Sequence, residues 1–311
     1  MADTQRIAVV GAGLMGHGIA LTFAHAGRRV SITDPAEEAL RSVACRVSQS
    51  MSLLGADSLE IASALDNIEI CDTLPAAVTG AEFVFEAAPE KLELKQAIFA
   101  EIEAYAPASA ILASNTSVIQ ISRIIGGLKT RDRALGTHWW NPPHMIPLVE
   151  VVKTEWTDKA RAKSMFDLLA DTGKMPVMVE RDVPGFIGNR LQHALWREAV
   201  SLVEKGICTA EAVDDVVKAS FGRRLAVLGP LENADLVGIE LTRDIHSEVL
   251  HDLETSGKPS SYLDELLDRG RTGMSAGAGF REWKNGDLDA VKARVADHLR
   301  KLETILPNQA D

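Results

Sequence analysis

Cysteine is scarce in this chain. Cys45, Cys71 and Cys208 are odd in number and far apart, which excludes a disulfide framework and a cysteine-based zinc site. They read as inert thiols of a reducing cytosol. Positive charge is also short. Thirty-three Lys and Arg against 44 Asp and Glu leave a net charge of −11, so nucleic acid has no basic surface to bind and an anionic membrane repels the chain. No apolar run is long enough to span a bilayer. The first residues, Met1 to Arg6, lead straight into Ile7-Ala8-Val9-Val10 and do not resemble a signal peptide. A cytoplasmic protein acting on a small molecule is the expectation.

What is present suffices for two domains with cores of their own, since 311 residues carry 46% hydrophobic side chains. The first part alternates short apolar runs with helical patterns. Strands are expected at Ile7–Val10, Arg29–Thr33, Phe83–Glu86, Ile111–Ala113, Arg133–His138, Leu148–Val152 and Met175–Val179. Helices are expected at Leu14–Ala26, Pro35–Leu54 and Lys91–Ala104. Such alternation predicts an α/β fold, a doubly wound parallel sheet of the Rossmann type covered on both faces. From Phe186 onward no strand pattern recurs. Ile187, Leu191, Leu195, Ala199 and Leu202 follow helical spacing, broken later by Gly222, Gly229-Pro230, Gly257 to Pro259 and the 270–279 glycines. The division is therefore expected at 1–183 for the sheet domain and 184–311 for an all-helical C-terminal domain, with a frayed tail after Leu306.

Gly11-Ala12-Gly13-Leu14-Met15-Gly16 follows a strand and opens a helix, the context a dinucleotide-binding turn requires. Gly11 permits the tight turn, Gly13 lets the pyrophosphate approach the backbone, and Gly16 lets helix and strand pack closely. The free N–H groups of the helix start suit the phosphates. Asp34 ends the next strand, eighteen residues past Gly16. A carboxylate there bonds the ribose hydroxyls and repels a 2′-phosphate, which favours NAD over NADP. Arg28 and Arg29 precede that strand and are poorly placed to reverse the preference.

His138 stands in Thr137-His138-Trp139-Trp140-Asn141-Pro142-Pro143, with Glu150 twelve residues on. Oxidising an alcohol needs a base whose pKa lies near neutrality, which histidine supplies without large tuning. A carboxylate that fixes its tautomer completes the pair. His144 lies close enough in sequence to touch a substrate. His17, His25, His246 and His251 lack metal-ligand spacing and read as surface residues.

Several motifs together resemble the L-3-hydroxyacyl-CoA dehydrogenase family. They are Ala113-Ser114-Asn115-Thr116-Ser117, His138-x-x-Asn141-Pro142, Leu148-Val149-Glu150-Val151, Val183-Pro184-Gly185-Phe186-Ile187-Gly188-Asn189-Arg190 and Gly229-Pro230-Leu231. Weaker matches are Pro89-Glu90 with Lys95, and Gly277-Ala278-Gly279-Phe280. The resemblance implies a hydride-transfer enzyme in which His138 is the general base and Glu150 orients it. Ser117 and Asn189 would hydrogen-bond the substrate oxygen. Glu90, Lys95, Asn115 and Asn141 would join Gly11, Gly13, Leu14, Met15, Gly16 and Asp34 around NAD. A homodimer built through the helical domain is implied as well, and the apolar helical surface makes it plausible.

Three departures bear on the substrate. Family members that act on CoA thioesters carry a lysine-rich helical segment after the second strand. Here residues 35–90 hold only Arg41 and Arg46 against ten acidic side chains. The usual lysine before Leu-Val-Glu is Pro147. The segment is also short, which narrows the pocket mouth. These features resemble the small-hydroxy-acid branch, gulonate dehydrogenase and a hydroxymethyl-pyridine carboxylate dehydrogenase. The expected substrate is a small carboxylate without CoA, held by Arg190, Arg197, Arg223 or Arg224, among which the sequence does not choose. The alternatives are an L-3-hydroxyacyl-CoA dehydrogenase with a relocated CoA site, and a non-catalytic crystallin-like NAD-binding protein on the same fold. A 6-phosphogluconate-type or hydroxyisobutyrate-type enzyme would need a lysine four residues before Asn189, where Gly185 stands.

Overall fold

The computed structural model describes residues 5–306; the expected fraying beyond Leu306 concerns residues outside those described. Eight strands form one sheet in the order β3-β2-β1-β4-β5-β6-β7-β8. They are β1 (Arg6–Val10), β2 (Arg29–Thr33), β3 (Ile68–Ile70), β4 (Phe83–Glu86), β5 (Ile111–Ser114), β6 (Ala134–Trp139), β7 (Leu148–Val152) and β8 (Met175–Val179). The first six are parallel, as the expected α/β doubly wound architecture requires. β7 then runs antiparallel to β6, and β8 parallel to β7. The far edge is therefore reversed, a feature that apolar run lengths do not encode.

The helices of this part are α1 (Gly16–His25), α2 (Glu37–Leu54), α3 (Ser58–Asp66), α4 (Leu74–Val78), α5 (Leu92–Tyr105), α6 (Ile121–Ile125) and α7 (Lys159–Asp171). The expected helices all form, with ends shifted by one or two residues. α3, α4, α7 and β3 are not among the expected elements: α3, α4 and β3 are short, and β3 sits at the sheet edge with two of its three side chains exposed. Asp57 nonetheless starts α3 cleanly, accepting from the Leu59 and Glu60 N–H groups while Glu60 reaches back to Asp57 N–H.

Strand alternation divides the core between the two faces of the sheet. Ile7 and Val9 of β1 pack with Ile19, Phe23, Val43 and Trp139 on one face. Ala8 and Val10 pack with Phe99, Ile102, Ile124 and Phe186 on the other. Trp139 points into the first cluster, edge-on to Phe23 and Phe85, so its neighbour His138 points to the opposite face.

Beyond β8 come α8 (Gly188–Glu204), α9 (Ala210–Ala219), α10 (Pro230–Val237), α11 (Ile239–Val249), α12 (Ser261–Asp268) and α13 (Asp287–Ile305). No strand occurs there among the described residues; Gly273, Ala278 and Glu282 form only isolated bridges. The chain separates into two compact units. One holds the described residues through Arg190 and those from Val295 on; the other is Leu191–Arg294. Within the second unit, caps mark the helix starts: the Thr209 hydroxyl accepts from Ala212 N–H, and that of Ser260 from Tyr262 N–H. Leu231, Leu236 and Ile239 remain largely exposed there.

Candidate active site

The β6–β7 pairing places His138 opposite Glu150. Glu150 Oε2 lies 2.7 Å from His138 Nδ1, and both side chains are buried. The other carboxylate oxygen accepts from the N–H groups of Ile187 and Gly188, at 2.8 and 3.1 Å. Those groups are free because they lie at the start of α8, where no earlier carbonyl is available and the helix dipole favours an anion. Gly185 (φ +76°) and Phe186 (φ +50°) turn the chain into that position. The left-handed backbone of Phe186 costs roughly 1 kcal/mol, offset by burial of its ring beside His138 at 5.5 Å between centroids. Burial alone would raise the Glu150 pKa. The bonds from His138, Ile187 and Gly188 outweigh it and hold the carboxyl below its usual range.

Trp140 closes the other side of the imidazole, 5.2 Å away between ring centroids. It packs against Gly188, where a Cβ would collide with the indole. Any residue other than glycine at the head of α8 would therefore push Trp140 aside. With Nδ1 committed to Glu150, the free nitrogen of His138 is Nε2.

Asn189 follows Gly188 on α8 and donates from its amide to the backbone carbonyl of Ser117 at 2.8 Å. Ser117 belongs to a turn organised by Glu90. One Glu90 carboxylate oxygen accepts from the Thr116 hydroxyl and from the N–H groups of Ser117, Val118 and Ile119. Burial pushes the Glu90 carboxyl up, but these bonds and the Lys95 ammonium bring it below the usual range. Hydrogen bonds thus tie Ser117 to Asn189 and Glu150 to His138, and the Gly188–Asn189 peptide at the start of α8 joins the two pairs.

The glycine turn is formed. Gly11 has φ +106° and donates its N–H to Thr33 O at 2.8 Å. A Cβ on Gly16 would collide with the Gly11 carbonyl, whereas one on Gly13 meets nothing within 4 Å. Gly13 therefore borders open space at the start of α1, as the approach of a pyrophosphate requires. Leu14 is 64% exposed at that opening, and Met15 is half-buried behind it. Asp34 is fixed by the N–H groups of Ala12 and Ala36, at 2.7 and 2.8 Å. The arrangement fits a dinucleotide.

Other expected cofactor residues divide. Asn141 is exposed. The buried Asn115 side-chain oxygen Oδ1 accepts from Trp139 N–H at 3.0 Å, tying the end of β5 to β6. Lys95 is fully enclosed: its ammonium donates to Glu86 at 2.8 Å and to Ala88 O at 3.1 Å, with Glu90 at 3.6 Å. Ser114 donates to the second oxygen of Glu86. In place of the expected cofactor contact, Lys95 supports Glu90 from beneath, because two carboxylates at that spot need a cation.

His17 corrects the reading of a surface histidine. It is buried, its Nδ1 lies 3.0 Å from Gly13 O, and burial pulls its pKa down. His144 packs toward His17 at 6.4 Å between centroids and against Gly18 of α1, on the face of the sheet that Trp139 occupies. Burial lowers its pKa to about 4. Arg190 is exposed in the first unit, and Arg197, Arg223 and Arg224 belong to the second. Sequence reasoning missed the N–H groups of Ile187 and Gly188, and backbone donors carry no residue identity by which to find them.

A parallel sheet with a glycine turn at β1 and a buried His–carboxylate pair at its far side defines an NAD-dependent dehydrogenase. The chain belongs to the 3-hydroxyacyl-CoA dehydrogenase family. Residues 6–183 match the model "3-hydroxyacyl-CoA dehydrogenase, NAD binding domain" and residues 185–283 match the C-terminal domain model of the same family. The 5-formyl-3-hydroxy-2-methylpyridine 4-carboxylate 5-dehydrogenase of Mesorhizobium japonicum is 32% identical over 97% of this chain and 98% of its own. A solved structure of an enzyme of that name, described as an NAD+ dependent dismutase, superposes with a TM-score of 0.90 at 31% identity, covering 98% of this chain and 99% of the other. The L-carnitine dehydrogenase of Nocardiopsis dassonvillei is 38% identical over 76% of this chain and 72% of its own. The mitochondrial hydroxyacyl-coenzyme A dehydrogenase of Sus scrofa is 32% identical over 90% and 91%.

Proposed function

We propose that this enzyme oxidises the hydroxyl of a small, carboxylate-bearing acid that carries no CoA. The observation that carries the catalytic reading is the 2.7 Å His138–Glu150 pair, which leaves Nε2 as the acceptor for the hydroxyl proton. NAD supplies the hydride acceptor. As hydride leaves the carbinol carbon, His138 takes the hydroxyl proton at Nε2 and becomes imidazolium. Glu150 stabilises that charge and is itself held anionic by α8. The Ser117 hydroxyl and the Asn189 amide hold the substrate oxygen. Gly11, Gly13, Leu14, Met15, Gly16, Asp34, Glu90, Asn115 and Asn141 surround the dinucleotide.

The substrate reading rests on charge. Of the two basic residues between 35 and 90, Arg41 is paired with Glu37 at 3.1 Å and Arg46 donates to Ala12 O. Two cations, one of them turned to the backbone of the glycine loop, are few for the phosphates of a CoA tail, and Pro147 adds no charge. Two of the relatives above are named for a pyridine carboxylate and for carnitine, neither of them a thioester. A panel of free hydroxy acids run beside 3-hydroxybutyryl-CoA, followed by NADH absorbance, tests this. Free acids should be oxidised, and free CoA should not compete. A kcat/KM on the order of 10⁵ M⁻¹s⁻¹ or more for the thioester would establish the CoA alternative. No NADH from any member would favour the crystallin-like one.

The same reading makes the enzyme a homodimer through its helical unit. Leu231, Leu236 and Ile239 are 80%, 73% and 63% exposed in one chain, more large apolar surface than a lone helical unit leaves to water. Cys45, Cys71 and Cys208 are free thiols, in keeping with work in the cytoplasm.

A further inference from the structure

We infer that Lys174 is a positioning residue of the cofactor site, anchoring the 140–147 loop so that Asn141 is held toward the nicotinamide half of the dinucleotide. The inference rests on the proposed role of Asn141 and adds what fixes it in place.

The loop joins β6 to β7, so His138 and Glu150 lie just beyond its two ends. It is braced internally where Pro142 O accepts from the N–H groups of Met145 and Ile146, both at 3.0 Å. On one side it docks against α1, where a Cβ on Gly18 would lie 2.5 Å from Pro143 Cγ and 3.2 Å from His144 Nδ1. On the other side stands Lys174, the residue before β8. Its side chain is 9% exposed. The ammonium donates to Pro143 O at 2.5 Å and to Ile146 O at 3.0 Å, and lies 5.6 Å from the centre of the Trp139 ring.

No carboxylate forms an ion pair with Lys174 among the described residues; Glu303 acts on it only from farther away. A buried ammonium without a counter-ion is costly. Here two carbonyls of one loop and an aromatic face replace water. Burial lowers the Lys174 pKa to about 8 and that of neighbouring His144 to about 4, so at neutral pH Lys174 is the cation of this cluster. Removing the ammonium frees both carbonyls and detaches the loop from β8, except for the bond from Met175 N–H to Pro147 O at 2.9 Å. Asp34 is held by Ala12 and Ala36 N–H, away from the loop, and the glycine turn meets the loop only indirectly, through the His144–His17 ring contact.

The test compares NADH with ADP-ribose, which lacks the nicotinamide, in the full-length enzyme. Lys174→Met should weaken NADH about 10-fold, the scale of a lost charged hydrogen bond, and leave ADP-ribose binding unchanged. Lys174→Arg should recover part of the loss. Hydrogen exchange at the Met145 and Ile146 amides should quicken in K174M, a readout that does not depend on ligand. Normal NADH binding by K174M, or equal weakening of both ligands, overturns the inference. Asn141→Ala separates the two claims. If N141A binds NADH normally while K174M does not, the loop acts through another residue and the Lys174 role stands. If N141A weakens NADH and K174M does not, the Lys174 role alone falls.

Discussion

His138 and Glu150 are direct partners across the antiparallel β6–β7 pair, which turns a separation of twelve residues into a contact of 2.7 Å. Glu150 spends its second oxygen on the start of α8. The residues that open α8, just before Asn189, are thereby tied to the carboxylate that faces His138. His138→Gln should lower turnover on the order of 100- to 10,000-fold and leave NAD binding nearly unchanged. Glu150→Gln should cost less, since it orients the base without taking the proton. Single-turnover rates and cofactor titration decide this; an H138Q enzyme with more than about a tenth of wild-type chemistry would remove His138 from the mechanism.

The last two glycines of the turn should separate folding from binding. Gly16→Ala places a methyl on the Gly11 carbonyl and should lower Tm markedly. Gly13→Ala meets no protein atom, so Tm should hold while NAD affinity falls, because the methyl occupies the approach of the pyrophosphate. Melting curves and NADH fluorescence measured on both variants check it.

Asp34 should set cofactor choice. Its carboxylate is aimed by Ala12 and Ala36 N–H, and it repels a 2′-phosphate. Wild type should prefer NAD, and Asp34→Ser should weaken NAD and narrow the gap to NADP. Equal affinity of the wild type for the two cofactors would take the role away from Asp34.

Acid should destabilise the protein through His144. Its folded pKa of about 4 lies below the ordinary value of 6.5, so the unfolded chain binds more protons between those values and stability falls as pH drops. The loss is on the order of 2–3 kcal/mol across that window. His17 acts in the same direction. Urea midpoints between pH 7 and 4 should fall less steeply in His144→Gln than in wild type. An identical slope would mean that His144 is not neutral in the folded state.

Association should be visible by sedimentation at micromolar concentration, with a mass near twice the 33.6 kDa of one chain. Leu231→Glu and Leu236→Glu together should shift the species toward monomer while NADH still binds. A wild-type monomer under the same conditions would reject the dimer.

The sequence alone determined the class of fold and the turn that meets the cofactor. Apolar runs at strand length and helical periodicity act locally, so β1, β2, β4 to β8 and the helices α1, α2, α5 and α8 were legible, though α7 was not, and Gly11, Gly13, Gly16 and Asp34 mark one continuous segment. The short elements α3, β3 and α4 were not legible, because three to nine residues at a sheet edge bury too little to imprint a pattern. Tertiary structure decided the reversal at β7, which alone sets Glu150 opposite His138. It also decided that Lys95 lies beneath Glu90 and that His17 and His144 are buried. Whether a charged or polar side chain faces a cleft or a core depends on what the other elements leave around it. The N–H groups of Ile187 and Gly188 were invisible for a simpler reason: every residue but proline has one, and only the packing of α8 against Glu150 gives these two a task.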